Sequence, residues 1–180
     1  MTADNWPPRV AGVDLSMTRT GVFTNDGPVS IKSGPPADTM ELTVDRLAMH
    51  AWAIMSAIPS DTDLVVVEGF AFGHNNAGTS LVHGLGWLMR YHIWVASMPM
   101  ALVAPTTLKK YATGKGNASK DEVMARVMST WPHATMPANN DEVDAMVLWS
   151  MGHHHITGDA PVDAHVWPTA MGKVDWPVDA

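Results

Sequence analysis

Four carboxylates and a cluster of lysines have the spacing that bears on chemistry. Asp14 closes the apolar run Ala11-Gly12-Val13, and Glu68 closes a second, Leu64-Val65-Val66-Val67. Asp141 and Asp144 stand three residues apart in Asp141-Glu142-Val143-Asp144-Ala145, so on a helix they share a face. A carboxylate delivered by an apolar strand needs a cation nearby, because burying an uncompensated charge is strongly unfavourable. Four such groups meeting in one place repel one another unless divalent ions fill the gap. Oxygen-only ligation suits Mg2+ or Mn2+ rather than zinc, and two such ions are the usual device for in-line displacement at phosphorus.

The basic residues are unevenly spread. The formal charge of −7 argues against nonspecific coating of nucleic acid, which draws on many lysine and arginine contacts to phosphate. Yet Lys109, Lys110, Lys115, Lys120 and Arg126 fall within one short stretch, opposed there only by Asp121 and Glu122. A local basic patch on an acidic chain suits recognition of one polyanionic site. The absence of cysteine rules out a disulfide framework and a thiolate metal site. His153-His154-His155 is no ready-made metal site, since consecutive helical residues point in different directions and at most one can face the carboxylates.

These groups must be positioned by a domain of 180 residues, long enough for a sizeable core. Residues 9–15, 19–24 and 28–32 read as a meander of three short strands. The capping-box spacing of Asp38 and Glu41 predicts a helix over 38–58, followed by a branched apolar strand at 63–68 that ends on Glu68. A long apolar helix is expected over 79–97, with Gly84 and Gly86 marking a close helix contact. A strand at 100–103, a helix at 105–111 and a flexible basic loop at 114–117 come next. Ser119 and Glu122 form a second capping box, and Asn139-Asn140 opens the last helix, which runs to about His155. Beyond Gly158 the periodicity stops, and Trp167-Pro168 and Trp176-Pro177 mark a tail that is either disordered or docked on the domain. No leader pattern and no run of 18 apolar residues is present, so a soluble, cytoplasmic protein without membrane contact is expected.

The chain resembles the RuvC family of Holliday junction resolvases, members of the RNase H-like superfamily. The matching pieces are Gly12-Val13-Asp14 with Thr20-Gly21, and Val66-Val67-Glu68 followed by Asn75-Asn76-Ala77. They continue with Ala104-Pro105-Thr106-Thr107-Leu108-Lys109-Lys110, Gly114-Lys115-Gly116-Asn117-Ala118-Ser119-Lys120 and Asp141-Glu142-Val143-Asp144-Ala145. They occur in the family's order over about residues 9–155, and the Lys-Lys to Gly-x-Gly-x-Ala-x-Lys block is the most specific of them. The resemblance implies an α/β, RNase H-like mixed five-stranded sheet flanked by helices, with a nuclease domain at 1–156 and an acidic tail at 157–180. It implies that Asp14, Glu68, Asp141 and Asp144 are catalytic and bind two Mg2+ or Mn2+ ions. Lys109 and Lys120 are implied to contact DNA near the scissile phosphate, with Lys110 and Lys115 in the same basic patch. Phe70 and Phe72 flank the place, nearer Ala71, where the family carries an aromatic that stacks on junction bases. Leu15-Ser16 replaces the family's usual Pro-Gly after the first aspartate, and the tail has no identified counterpart.

The implied activity is metal-dependent cutting of branched DNA, foremost Holliday junctions, by a homodimer joined through the 79–97 helix. Compact size and missing cysteines suit a bacteriophage or actinobacterial member. Three other readings stay open on the sequence. A flap or fork nuclease would share the fold and chemistry. A phosphotransferase of the actin and sugar-kinase kind also pairs a strand aspartate with a Thr-Gly turn, but Gly114 to Lys120 is no Walker motif. A catalytically silent junction-binding module would not need four carboxylates.

Overall fold

Side-chain alternation along the strands decides which face of the sheet receives each group. The computed structural model describes residues 7–69, 77–130, 136–160 and 167–177. Its strands are β1 (Val10–Asp14), β2 (Arg19–Thr24), β3 (Gly27–Lys32), β4 (Leu64–Glu68) and β5 (Met100–Val103). They form one mixed sheet ordered β3-β2-β1-β4-β5, with β1 antiparallel to β2 and parallel to β4. The expected α/β architecture is the one observed. In β1, Val10 joins one core cluster while Ala11 and Val13 join the other, and in β4 Leu64 and Val66 part from Val65 and Val67 in the same way. Both strands are therefore apolar on both faces, as a central parallel pair covered by helices must be.

The helices are α1 (Met40–Ser56), α2 (Ala77–Val95), α3 (Pro105–Thr113), α4 (Lys120–Thr130) and α5 (Asn140–Thr157). Helices α1 and α2 cover the face bearing Val13 and Val67, where Ala51, Ile54, Leu85, Met89 and Ile93 are buried. Helix α5 crosses the opposite face, and α3 and α4 pack beside it. Helix α5 lies unusually close: a Cβ built on Gly12 would overlap the Ala145 carbonyl oxygen, and one on Gly21 that of Asp141. Only glycine permits that approach, because any side chain there would occupy the space of the helix backbone.

Three local expectations change. The cap of α1 is Thr39 rather than Asp38; Thr39 has the extended backbone a cap requires, and its side chain accepts the Leu42 N–H at 3.3 Å. Gly84 marks no close helix contact, since a Cβ there meets only Leu47 Cδ1 at 3.9 Å. The basic loop is tied rather than loose. Thr113 Oγ1 accepts the Lys115 N–H and donates to the carbonyls of Lys109 and Lys115, and Ala118 is buried. The other capping box forms as expected, with Ser119 N–H donating to Glu122 and Glu122 N–H to Ser119. Among the described residues no helix is long and apolar enough to cross a membrane.

We expect Gly12→Ala to destabilise the protein by about 2 kcal/mol or more, because the new methyl forces α5 off the sheet. Gly34→Ala, where nothing lies within 4 Å, serves as the control in parallel thermal denaturation.

Candidate functional site

The site begins with the register of β1 and β4. Val13 pairs with Val67 in parallel, so the next residue of each strand, Asp14 and Glu68, emerges at the same end of the sheet. Alternation then turns both toward the α5 side, since Val13 and Val67 belong to the opposite core. Their carboxyl groups lie close enough for each to act on the other's protonation. Asn139 starts α5 beside them by accepting the N–H groups of Asp141 and Glu142, each at 3.1 Å. Asp144 follows one turn on from Asp141 and is buried, while Asp141 keeps a partly exposed side chain.

Electrostatics report the same convergence. Burial holds the Asp14 carboxyl well above the usual carboxylate range, and the negative charges of Glu68 and Asp141 add to the effect. Burial likewise raises Glu68, with Asp144 contributing. Asp144 is pushed up to about 7 by burial, by Asp14 and by Asp141. Lys120 and Lys109 act in the opposite sense on both Glu68 and Asp144. The Lys120 ammonium also lies 4.0 Å from the Asp141 carboxylate. All four carboxylates thus belong to one electrostatic cluster, with two lysines at its border.

This donor set fits a hard divalent cation, being all oxygen and poorly neutralised by the chain itself. Among the described residues no group of three His, Asp or Glu side chains is arranged to hold a metal ion.

Several supporting groups carry no sequence signature that isolates them. His50 is buried on α1, and its Nε2 lies 3.0 Å from the Ser16 carbonyl and 3.1 Å from Thr20 Oγ1. Arg46 donates to the Met17 carbonyl at 2.6 Å. Together they pin the turn that follows Asp14 from the far side of the sheet. Glu142, set between the two helix aspartates, turns away from them. It accepts from the Ser30 hydroxyl at 2.5 Å, the Asn139 amide at 2.8 Å and the Ala138 N–H at 2.7 Å. Burial would raise its carboxyl, but those three donors bring it below its ordinary range. Helix periodicity alone could have separated it from Asp141 and Asp144; its partner on β3 could not be read.

Lys109 and Lys110 lie on α3, Lys115 in the turn after it and Lys120 at the start of α4. Phe70 and Phe72 fall outside the described residues. The three histidines diverge at the other end of α5. His153 packs on Trp149, His154 Nδ1 lies 3.2 Å from the Tyr111 hydroxyl, and His155 stacks on Trp176. None of them faces the acidic cluster.

A mixed sheet with acidic residues ending its first and fourth strands, closed by a helix bearing two more, is an RNase H-like α/β architecture. Among solved structures, that of Thermus thermophilus RuvC superposes with a TM-score of 0.66 at 19% identity, covering 86% of this chain and 99% of the other. The structure of T. thermophilus RuvC in complex with Holliday junction substrate superposes with a TM-score of 0.62 at 20% identity and the same coverage. In sequence, the crossover junction endodeoxyribonuclease RuvC of Paenarthrobacter aurescens is 32% identical over 150 residues, 78% of each chain. That of Rhodopseudomonas palustris strain TIE-1 is 30% identical over 159 residues, 83% of this chain and 88% of the relative. No family model matches the chain. The chain belongs to the RuvC family.

The raised Asp144 carboxyl has a consequence for stability. A group lifted from 3.8 to about 7 on folding stabilises the fold fully below the lower value, and that contribution is lost as pH rises through the upper one. In EDTA, Asp144→Asn should therefore gain melting temperature relative to wild type between about pH 4 and pH 8. Equal pH profiles for the two proteins would contradict a buried Asp144 carboxyl raised in this way.

Proposed function

We propose that the chain is a metal-dependent, structure-selective endodeoxyribonuclease that resolves Holliday junctions by paired symmetric nicks. The convergence of Asp14, Glu68, Asp141 and Asp144 beside Lys109 and Lys120 carries this reading. The name borne by its relatives, crossover junction endodeoxyribonuclease, agrees with it. So does the Holliday junction substrate held by the Thermus thermophilus complex. Against a phosphotransferase, Gly114 to Lys120 is no Walker motif.

In this reading Asp14, Glu68, Asp141 and Asp144 hold two divalent ions, Mg2+ or Mn2+. When bound, the ions supply an activated water and stabilise the leaving oxygen of the phosphodiester. The chain's own part is positioning and charge. The buried Asp14 and Asp144 stand in a site of low polarity, where interactions with cations and phosphate are strengthened. Asp14 is held by the turn that His50 and Arg46 clamp, and Asp141 and Asp144 by the capped start of α5. Lys109 and Lys120 meet the phosphates flanking the scissile bond, while Lys110 and Lys115 extend the positive surface along the DNA. Phe70 and Phe72 remain candidates for stacking on junction bases. Residues 1–156 form the nuclease domain and 157–180 its acidic tail.

Two symmetric nicks need two sites, and α2 is the surface proposed to join them. Trp87 and Trp94 are 68% and 74% exposed, and Tyr91 and Val95 also face outward. An apolar face of that size on a helix is suited to burial against a second copy.

Asp14→Asn and Glu68→Gln should each lower Mg2+-dependent cleavage of a labelled four-way junction by more than about a hundredfold while junction binding persists. Full cleavage by either variant would remove the two-ion account, and a preference for flaps or forks over four-way junctions would favour the other nuclease reading. Trp94→Glu should shift the protein toward monomer in sedimentation and turn paired nicking into single nicks.

A further inference from the structure

Of the two expectations for the tail, disorder or docking, its described part shows docking. Residues 167–177 run across α3, α4, the end of α5 and the free edge of β5. The Trp167 N–H donates to the Tyr111 carbonyl on α3 at 3.0 Å. Its indole lies against the cap of that helix: a Cβ on Gly114 would fall 2.7 Å from Trp167 Cε2, so the ring occupies the space a side chain there would take. Gly114 also has φ +82, the left-handed conformation that ends α3, and glycine answers both needs at once. On α4 the Arg126 guanidinium lies over the same indole, 5.4 Å from the ring centroid.

The remainder of the segment is fastened further along. The short 3-10 helix Pro168–Lys173 buries Ala170 in the core that holds Leu108, Tyr111 and Ala112, with Met171, Val174 and Trp176 packed against it. Asp175 makes an antiparallel bridge to Leu102 on β5, which is an edge strand of the main sheet. Trp176 donates its indole N–H to the Met171 carbonyl at 3.2 Å and stacks on His155 at 4.4 Å between ring centroids.

Trp167 touches both helices that carry the basic patch, at the turn between them. Lys109 and Lys110 precede Gly114 on α3, Lys115 follows it, and Lys120 opens the helix that carries Arg126. The body of the site rests on the sheet and α5, whereas α3 and α4 lie to one side, held to the core by Leu108, Tyr111, Val123 and Val127 and by the 167–177 segment. We propose that residues 167–177 are a strap that fixes the α3–α4 pair against the core, with Trp167 as a positioning residue that sets the lysines for phosphate. The strap makes no catalytic contact. Its effect is on how many lysines engage DNA together, and it rests on the nuclease reading of the site.

The test compares full-length wild type, Trp167→Ala and Trp167→Phe. Phenylalanine keeps a ring against Gly114 and beneath Arg126, so it should restore what alanine loses. Without DNA, amide hydrogen exchange at residues 114–119 should quicken at least about tenfold in Trp167→Ala and return toward wild type in Trp167→Phe. With a four-way junction, Trp167→Ala should raise Kd about tenfold. It should also flatten the slope of log Kd against log salt by about one charge, while kcat at saturating DNA stays within about twofold. Unchanged exchange at 114–119 would overturn the strap. Faster exchange with unchanged Kd and salt slope would overturn the positioning role, as would a fall in kcat at constant KM, the signature of a smaller folded fraction. If wild type itself binds no branched DNA, the nuclease reading fails and the inference falls with it, whatever the exchange data show.

Discussion

The close seating of α5 on β1 and β2 is the constraint on which the rest of the structure depends. The helix backbone approaches Gly12 and Gly21 so closely that no side chain fits between them. That approach brings Asp141 and Asp144 over the end of β1, where Asp14 emerges. Gly152 continues the seam, since a Cβ there would fall 2.7 Å from side chains of Val10 and Val66. Three glycines on two strands and the helix thus act as one surface, and the distance between the acidic groups follows from backbone contact rather than from the reach of side chains. Long side chains could have bridged a wider gap, but with more conformational freedom to lose and less control over position.

Such a site is electrostatically poor on its own. Asp14, Glu68 and Asp144 are each lifted first by burial; like charge adds to this, from Glu68 on Asp14, from Asp144 on Glu68 and from Asp14 on Asp144, and Lys120 only partly offsets it. The protein tolerates that cost because the sheet and α5 over-determine the geometry. Glu142 shows the contrast within the same turn of helix. Given three hydrogen-bond donors instead of like charges, its carboxyl falls below its ordinary range and serves to anchor α5 to β3.

Support for the site comes from layers that do not touch it. His50 and Arg46 reach through from α1 to the turn after Asp14, and the strap binds the lysine-bearing helices from outside. The acidic half of the site is carried by the central sheet and α5, and the basic half by α3 and α4, whose Leu108, Tyr111, Val123 and Val127 are buried in the same core.

Much of this was legible from residue order alone, for a local reason. Local pattern identified the five strands and five α-helices of the described residues, though not the 3-10 helix at Pro168–Lys173, together with the Ser119–Glu122 box and an asparagine cap at 139 or 140, because each depends on neighbours a few residues apart. Apolar runs ending on Asp14 and Glu68, with Asp141 and Asp144 three residues apart, also marked out the acidic set. What sequence could not determine is set by contacts between distant segments. These include the parallel register that aligns Asp14 with Glu68, the glycine seam under α5, the reach of Glu142 to Ser30 and the seat of Trp167 on Gly114. Such contacts depend on how whole elements stack, and the same local patterns are compatible with more than one stacking until the sheet order and helix faces are fixed.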